Sequence, residues 1–206
     1  MVFGKGELMR DWVGNKAASY AIHGASNHSQ EERAEHDYYA TDPKAVKKLL
    51  LLENFEGGRI LEPACGGCHI SKVLIENGFN VLSFDKVNRN SPLQDGVRDF
   101  FDMKSNDRNI ITNPPYKFAK EFVEHALDIS EKEVKIAMFL KLTFLEGAKR
   151  RNLFNNYPPK RIYVFRNRID CWKNGIKPEK ASKAVCYAWF VWVKGYKGKP
   201  EIEWID

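Results

Sequence analysis

The sequence predicts an α/β fold, a mostly parallel sheet with helices on both faces. Three observations support it. Short apolar runs alternate with amphipathic segments along most of the chain. A strand, a Gly-bearing turn, a helix, a second strand and a terminal acid follow one another within about 25 residues, the plan of a nucleotide-binding unit. A further strand, Ile110-Ile111-Thr112, ends in the polar loop Asn113-Pro114-Pro115-Tyr116, where open α/β sheets place their ligand sites.

Residues 1–36 form a polar arm rich in Gly, Asn, Ser and His, and 37–206 the folded domain. No element is assigned to the arm; Trp12 and Tyr20 are its candidate anchors. His23, His28 and His36 match no standard ligand spacing, so no metal site is expected. Asp42 is a good N-cap and Pro43 a good first helical residue. That helix runs to about Glu53 with Ala45, Val46, Leu49, Leu50 and Leu52 largely on one face, and Gly57-Gly58 ends it.

Arg59-Ile60-Leu61 is a short buried strand, and the turn from Glu62 leads into a helix from about His69 to Asn77, closed by Gly78. Val81 to Phe84 is the next strand, with Asp85 at its end. A loop from Asn88 to Val97 precedes Asp99-Phe100-Phe101-Asp102 and the Ile110–Thr112 strand. The segment from Lys117 to about Ser130 is amphipathic, with Phe118, Phe122, Ala126 and Ile129 at helical spacing. Val134 to Leu140 is a buried strand, Glu146 to about Asn155 a basic helix, and Arg161 to Phe165 a strand. The last strand is expected over Ala184 to Val193.

At 206 residues and 43% apolar content the chain suits one domain with a sizeable core. It has no membrane-length apolar run and no signal-peptide pattern, so a cytoplasmic location is expected. Cys65, Cys68, Cys171 and Cys186 are consistent with reduced thiols there. The net charge of +6 is unevenly spread: from Lys141 onward there are 15 Lys/Arg against 6 Asp/Glu, and before it 18 against 21. A basic C-terminal third on a slightly acidic body points to a polyanionic partner, nucleic acid, rather than a membrane.

The loop from Asn113 carries the most specific chemistry. Two prolines supply no N–H donor, and the first forces Asn113 out of the α region. The Asn113 side-chain oxygen and the Pro114 carbonyl can then accept two hydrogen bonds from an exocyclic amino group, while Tyr116 stacks on the ring that carries it. An adenine amine is a poor nucleophile because its lone pair is delocalised. Two acceptors favour a more tetrahedral nitrogen and aim the lone pair at an electrophilic methyl, without an activated side chain.

Cys65-Gly66-Gly67-Cys68-His69 also fits the haem-attachment pattern, which requires export to an oxidising compartment. Zinc needs two further ligands, and Cys171 and Cys186 make no second close pair. The position of this run in a strand-to-helix turn suits a nucleotide loop better than haem, zinc or a redox pair.

In order and spacing, Asp37-Tyr38-Tyr39-Ala40-Thr41-Asp42-Pro43, Leu61-Glu62-Pro63-Ala64-Cys65-Gly66, Asp85 and Asn113-Pro114-Pro115-Tyr116 resemble the S-adenosylmethionine-dependent amino-methyltransferases, specifically small phage-type DNA adenine methyltransferases. The resemblance spans roughly residues 24 to 193. It implies a Rossmann-like fold with a seven-stranded sheet and S-adenosylmethionine as cofactor. Tyr39 and Thr41 would hold the methionine end of the cofactor. Glu62, Pro63, Ala64, Cys65 and Gly66 would line the turn beneath it, Asp85 would bind the ribose, and Asp102 would meet the adenine amine. Asn113, Pro114, Pro115 and Tyr116 would form the catalytic loop. The family turn usually carries glycine where this chain has Cys68, which puts cofactor affinity in question.

Lys149, Arg150, Arg151, Arg166, Arg168 and Lys173 form the candidate phosphate-contacting face. Trp172 is a candidate to stack on an extruded base opposite Tyr116, with core packing as its alternative. Residues 171–183 are the candidate recognition loop, short enough to imply relaxed specificity. The expected activity is methyl transfer to the adenine amine of DNA by a monomer or weak homodimer. RNA adenine, a protein glutamine amide and a degenerate nucleic-acid-binding module are the alternatives.

Overall fold

The computed structural model describes residues 38–179 and 185–206. The expected arm, Asp37 and residues 180–183 of the expected recognition loop lie outside the described residues. The elements in chain order are β1 (Tyr39–Thr41), α1 (Pro43–Leu52), β2 (Arg59–Glu62), α2 (His69–Glu76), β3 (Asn80–Asp85), β4 (Gly96–Val97) and β5 (Asn109–Thr112). They continue as α3 (Ala119–Ile129), β6 (Lys135–Lys141), α4 (Arg151–Asn156), β7 (Arg161–Phe165), β8 (Cys171–Lys173), β9 (Tyr187–Val193) and β10 (Glu201–Ile205).

Eight strands form one sheet in the order β10-β7-β9-β6-β5-β2-β3-β4. All neighbours are parallel except β9, which runs antiparallel between β6 and β7. The sheet thus has one strand more than the seven expected. The addition is β10, which pairs with β7 from Glu201↔Arg161 to Ile205↔Phe165. Its pattern is exposed up to Ile205, so it offers no buried apolar run by which the sequence would betray it. A separate two-stranded ribbon pairs β1 with β8, Tyr39↔Lys173 to Thr41↔Cys171.

Burial on both faces explains the sequence of the central strands. Along β9, Tyr187, Trp189 and Val191 join the core beneath α1 and α2, while Ala188, Phe190 and Trp192 join the core beneath α3. A strand covered on both sides reads as a continuous apolar run. The indole N–H groups remain satisfied: Trp189 donates to the Ala45 carbonyl at 2.9 Å and Trp192 to the Tyr157 carbonyl at 3.0 Å.

Helix starts follow local chemistry. Asp42 accepts from the Lys44 N–H at 2.9 Å, with Pro43 in the first turn, and Ala45, Val46 and Leu49 face inward. Leu52, expected on that face, is exposed. Phe118, expected inside the third helix, lies in a 3-10 turn over Tyr116–Phe118 and is also exposed. The expected basic helix is shortened to Arg151–Asn156, because Gly147 at φ 112° breaks the segment ahead of it. No helix among the described residues is long and apolar enough to cross a membrane.

Glu53 ties the end of α1 to the sheet. Its side chain is 2% exposed and accepts from Lys135 Nζ at 2.7 Å, Arg161 at 2.9 Å and the Tyr163 hydroxyl at 2.8 Å. Burial pushes this carboxyl up, yet those three donors together outweigh it and hold it below the usual value. A depressed folded value means stability that is present above the unfolded pKa and lost as pH falls through the folded one. In urea melts at pH 7, Glu53→Gln should therefore lose about 3 kcal/mol. The gap to wild type should narrow below about pH 4, where the wild-type carboxyl takes up its proton. A gap that stays constant with pH would assign the loss to packing instead.

Candidate active site

The site lies where the chain leaves β2 toward β3 on one side and returns as β5 on the other, a topological switch point. A cavity of about 600 Å³ opens there at the C-terminal ends of the strands, well within the range of small-molecule sites. Residues from the β2, β3 and β5 ends line it together with Tyr38 to Thr41.

Asn113 leaves β5 into the cavity wall, and its amide is fixed by β1. Nδ2 donates to the Tyr39 carbonyl at 2.9 Å and to Thr41 Oγ1 at 3.0 Å, with Cys171 Sγ at 3.8 Å. A backbone carbonyl only accepts, so this pair sets which end of the amide is nitrogen. Among the described residues, Oδ1 is left buried without a hydrogen-bond partner. Pro114 and Pro115 also line the cavity, and the Pro115 carbonyl accepts from the Phe118 N–H at 2.9 Å.

Tyr116 sits among aromatic rings rather than alone at the mouth. Its centroid is 6.1 Å from Tyr39 and 6.0 Å from Tyr187, both near parallel, and the Lys141 ammonium lies 5.1 Å from it. The hydroxyl is 3.4 Å from Cys171 Sγ. Burial pushes the Tyr116 phenol well above its ordinary value, so it stays neutral.

On the other side of the cavity, Asp85 organises the turn after β2. One carboxylate oxygen accepts from the Gly66 N–H at 2.8 Å and the other from the Val87 N–H at 2.9 Å. Each oxygen keeps lone-pair capacity toward the cavity, which Asp85 lines. Glu62 is buried and accepts from both the N–H and the hydroxyl of Ser71, whose oxygen is 2.6 Å from that of Ser83. Burial raises its carboxyl well above the usual range despite the Ser71 hydrogen bonds.

Tyr39, Thr41, Glu62, Pro63, Ala64, Cys65, Asp85 and the four residues from Asn113 to Tyr116 are thus brought to one cavity. Gly66 is adjacent but covered: at φ 53° it lies under the Tyr38 ring, and the Tyr38 hydroxyl accepts from the Gly67 N–H at 2.9 Å. Asp102 is exposed and does not line the cavity, contrary to expectation. Asp99 lines it instead, accepting from the Phe101 N–H at 3.0 Å and pairing with Lys86 at 2.6 Å, which holds its carboxyl below the usual value. Asp99 caps the 3-10 turn Phe100–Asp102 and immediately follows the β4 region, as Asp85 ends β3. Two strand residues are too few to show a period, and so the strand-end acid was not recognisable. Arg89 and Phe101 line the cavity as well, and nothing in their spacing marks them.

Trp172 does not face Tyr116. Successive strand side chains point to opposite faces, and Cys171 already occupies the face toward Asn113 and Tyr116. Trp172 lies on the other, edge-on to His69 at 5.6 Å, half-buried. Nor does it join the core, the alternative weighed for it: Trp172 belongs to neither core cluster.

None of the expected phosphate-contacting residues lines the cavity; they follow strands that end on its side of the sheet or sit on the ribbon. β6 and β7 run parallel to β5, because each is antiparallel to β9 or parallel to β5 directly. Lys149, Arg150 and Arg151 follow β6, Arg166 and Arg168 follow β7, and Lys173 sits on the ribbon. Arg150 is engaged with the Thr143 and Glu146 carbonyls and Phe144, Arg166 with Asp206, and Arg168 with Cys186. Lys149, Arg151 and Lys173 are exposed.

No family model matches the sequence, and no curated protein matches it. Solved structures do. An S-adenosylmethionine-dependent O-methyltransferase from Thermotoga maritima superposes with a TM-score of 0.54 at 14% identity, over 79% of this chain and 69% of its own. A protein described as an RNA methyltransferase from Pyrococcus horikoshii gives 0.57 at 14%, over 88% and 97%. A protein described as a type I restriction modification subunit from Vibrio vulnificus gives 0.54 at 13%, over 82% of this chain and 47% of its own, about half its length. The fold is therefore the Rossmann-like fold of the S-adenosylmethionine-dependent methyltransferases.

The Tyr38 cover over the turn has a measurable consequence. A Cβ at Gly66 would run into the Tyr38 ring, whereas one at Gly78 meets nothing within 4 Å, although both residues have positive φ. Gly66→Ala should lower the melting temperature by roughly 4–8 °C, about 2 kcal/mol, and Gly78→Ala by about half as much. Equal losses in a thermal melt would mean that the ring yields freely.

Proposed function

We propose that this protein transfers a methyl group from S-adenosylmethionine to the exocyclic amino group of adenine in DNA. The observation that carries the proposal is the buried Oδ1 of Asn113 on the cavity wall, which has no hydrogen-bond partner among the described residues. A buried acceptor without a partner is costly, and an incoming amino group relieves that cost. Because Nδ2 is held by Tyr39 and Thr41, the amide cannot turn its donor end to the substrate.

The cavity fits the cofactor in its donor set. Asp85 has acceptor capacity for ribose hydroxyls, and Asp99, which lines the cavity beside Phe100 and Phe101, for an adenine amine. The turn from Glu62 to Cys65 would meet the methionine end. When bound, the cofactor supplies an electrophilic methyl group on a sulfonium. Asn113 Oδ1 and the Pro114 carbonyl then accept from the two amino hydrogens, localise the nitrogen lone pair and orient it for in-line attack. Tyr116 holds the target ring. The excess proton leaves after transfer, so no side chain need act as a strong base.

Nucleic acid is favoured over a protein amide by the charge at this edge. Lys149, Arg151 and Lys173 are exposed and follow or flank strands whose C-terminal ends face the cavity side of the sheet, and phosphate contacts of that kind set affinity without reading sequence. The target base has to leave the duplex to reach Asn113.

The test is transfer of label from S-adenosylmethionine to unmethylated DNA and, in parallel, to total RNA, with digestion to nucleosides. Methyladenine in DNA is expected; label in RNA alone would keep the chemistry and change the substrate. Asn113→Ala should lower turnover at least about 100-fold while leaving cofactor affinity within a few-fold by calorimetry. Retained turnover in that variant would overturn the mechanism.

A further inference from the structure

We propose that Cys65 and Cys68 are an oxidisable dithiol, and that closing their disulfide expels the cofactor from the adjoining cavity, a consequence that rests on the methyl-transfer function proposed above. The geometry is favourable. The Cys68 N–H donates to the Cys65 carbonyl at 2.7 Å, closing a four-residue turn. Such a turn holds its first and last Cα within about 7 Å, and disulfides span roughly 4.4–6.8 Å. Gly66 and Gly67 between them have no Cβ to resist further closure. Both thiols are free.

Their surroundings suit oxidation by a small reagent. Cys65 is on the cavity wall, yet the two residues are only 4% and 1% exposed, which keeps out a protein oxidant. Cys68 is the N-cap of α2, where unpaired N–H groups favour a thiolate. The neighbouring Cys65 thiol and Ser91 hydroxyl lower the Cys68 thiol despite its burial, while that of Cys65, whose Sγ donates to the Gly66 carbonyl at 3.8 Å, is raised. One sulfur is thereby prepared as the attacking thiolate and the other as the resolving thiol.

Hydrogen peroxide is small enough to enter the cavity that Cys65 lines, one four-residue turn from Cys68. The Cys68 thiolate attacks one peroxide oxygen, the O–O bond breaks, and the departing hydroxide takes up the proton that Cys68 had released, giving water. Cys65 Sγ then attacks the Cys68 sulfenic acid. The S–S bond forms, the S–O bond breaks, and the second oxygen leaves as water with the Cys65 proton. The two thiols lose two electrons in all, and the peroxide gains them. The closed ring contains Gly66 and Gly67, whose N–H groups hold Asp85 at 2.8 Å and the Tyr38 hydroxyl at 2.9 Å. Pulling the sulfurs together re-aims both donors, and with them the carboxylate proposed to bind the ribose.

The experiment treats the whole protein with peroxide, maps alkylated and disulfide-linked peptides by mass spectrometry, and titrates S-adenosylhomocysteine by calorimetry before oxidation, after it and after reduction. A Cys65–Cys68 disulfide and at least a 10-fold weaker affinity that reductant restores are expected. Prior saturation with S-adenosylhomocysteine should slow the oxidation. Cys68→Gly, which suits the local φ of 61°, should bind with an affinity that peroxide does not change. Two thiols that stay alkylatable, or a disulfide that leaves affinity untouched, would overturn the proposal. Failure of the reduced wild type to bind S-adenosylhomocysteine would instead refute the cofactor assignment and the effect on it, with the peptide map still deciding whether the dithiol oxidises.

Discussion

The amide of Asn113 is the point on which the site depends. Its two donors are spent on β1, the Tyr39 carbonyl and Thr41 Oγ1, so a residue at the end of the central β5 is braced by a strand outside the main sheet. Rotating the amide would set Oδ1 against the Tyr39 carbonyl, two acceptors facing each other with no proton between them. Pro114 restricts the backbone of Asn113 from the other direction. The unpartnered oxygen is therefore held in place by neighbours that have no direct part in what it accepts.

That bracing makes the β1–β8 ribbon a shared wall. Tyr39 and Thr41 hold Asn113, while Tyr38, one residue earlier, covers Gly66 and accepts from Gly67 on the opposite side of the cavity. Through the Asn174 N–H, which donates to the Tyr38 carbonyl at 3.0 Å, the same segment carries the loop after β8. A displacement of Tyr38 by a molecule entering beside the turn would be felt at both ends. The three-layer core beneath does not share in it, since its strands are locked by burial on two faces and by the Glu53 cluster at the far end of α1.

Much of this was legible in the sequence where an element was long or its chemistry local. Asp42-Pro43 announced α1, the apolar runs announced the central strands, and Asn113 to Tyr116 was recognisable because two prolines after a strand leave few conformations. What escaped was short or set by tertiary contact. β4 has two residues and β10 little burial, so neither shows a period. With β4 unseen, the expectation fell on Asp102, whereas the acid nearer the strand, Asp99, is the one at the cavity. The ribbon pairs residues 130 to 134 positions apart, a contact no local pattern encodes. Trp172 was misdirected for the same reason: its facing is fixed by Cys171, whose own facing is fixed by Asn113 and Tyr116.

Cys68 is the place where local preference and fold disagree most openly. It holds φ 61° and ψ 32°, a left-handed conformation that costs a non-glycine residue roughly 1–2 kcal/mol. Glycine would remove that cost, and the neighbouring positions show that the chain uses glycine freely in this turn. A buried side chain in a strained position, at a helix start and at the far end of a four-residue turn from a second thiol, is better accounted for by what its sulfur can do than by what its backbone prefers. In the dithiol proposed above, the strained residue supplies the attacking sulfur, and the turn it closes reaches the cavity wall at Cys65.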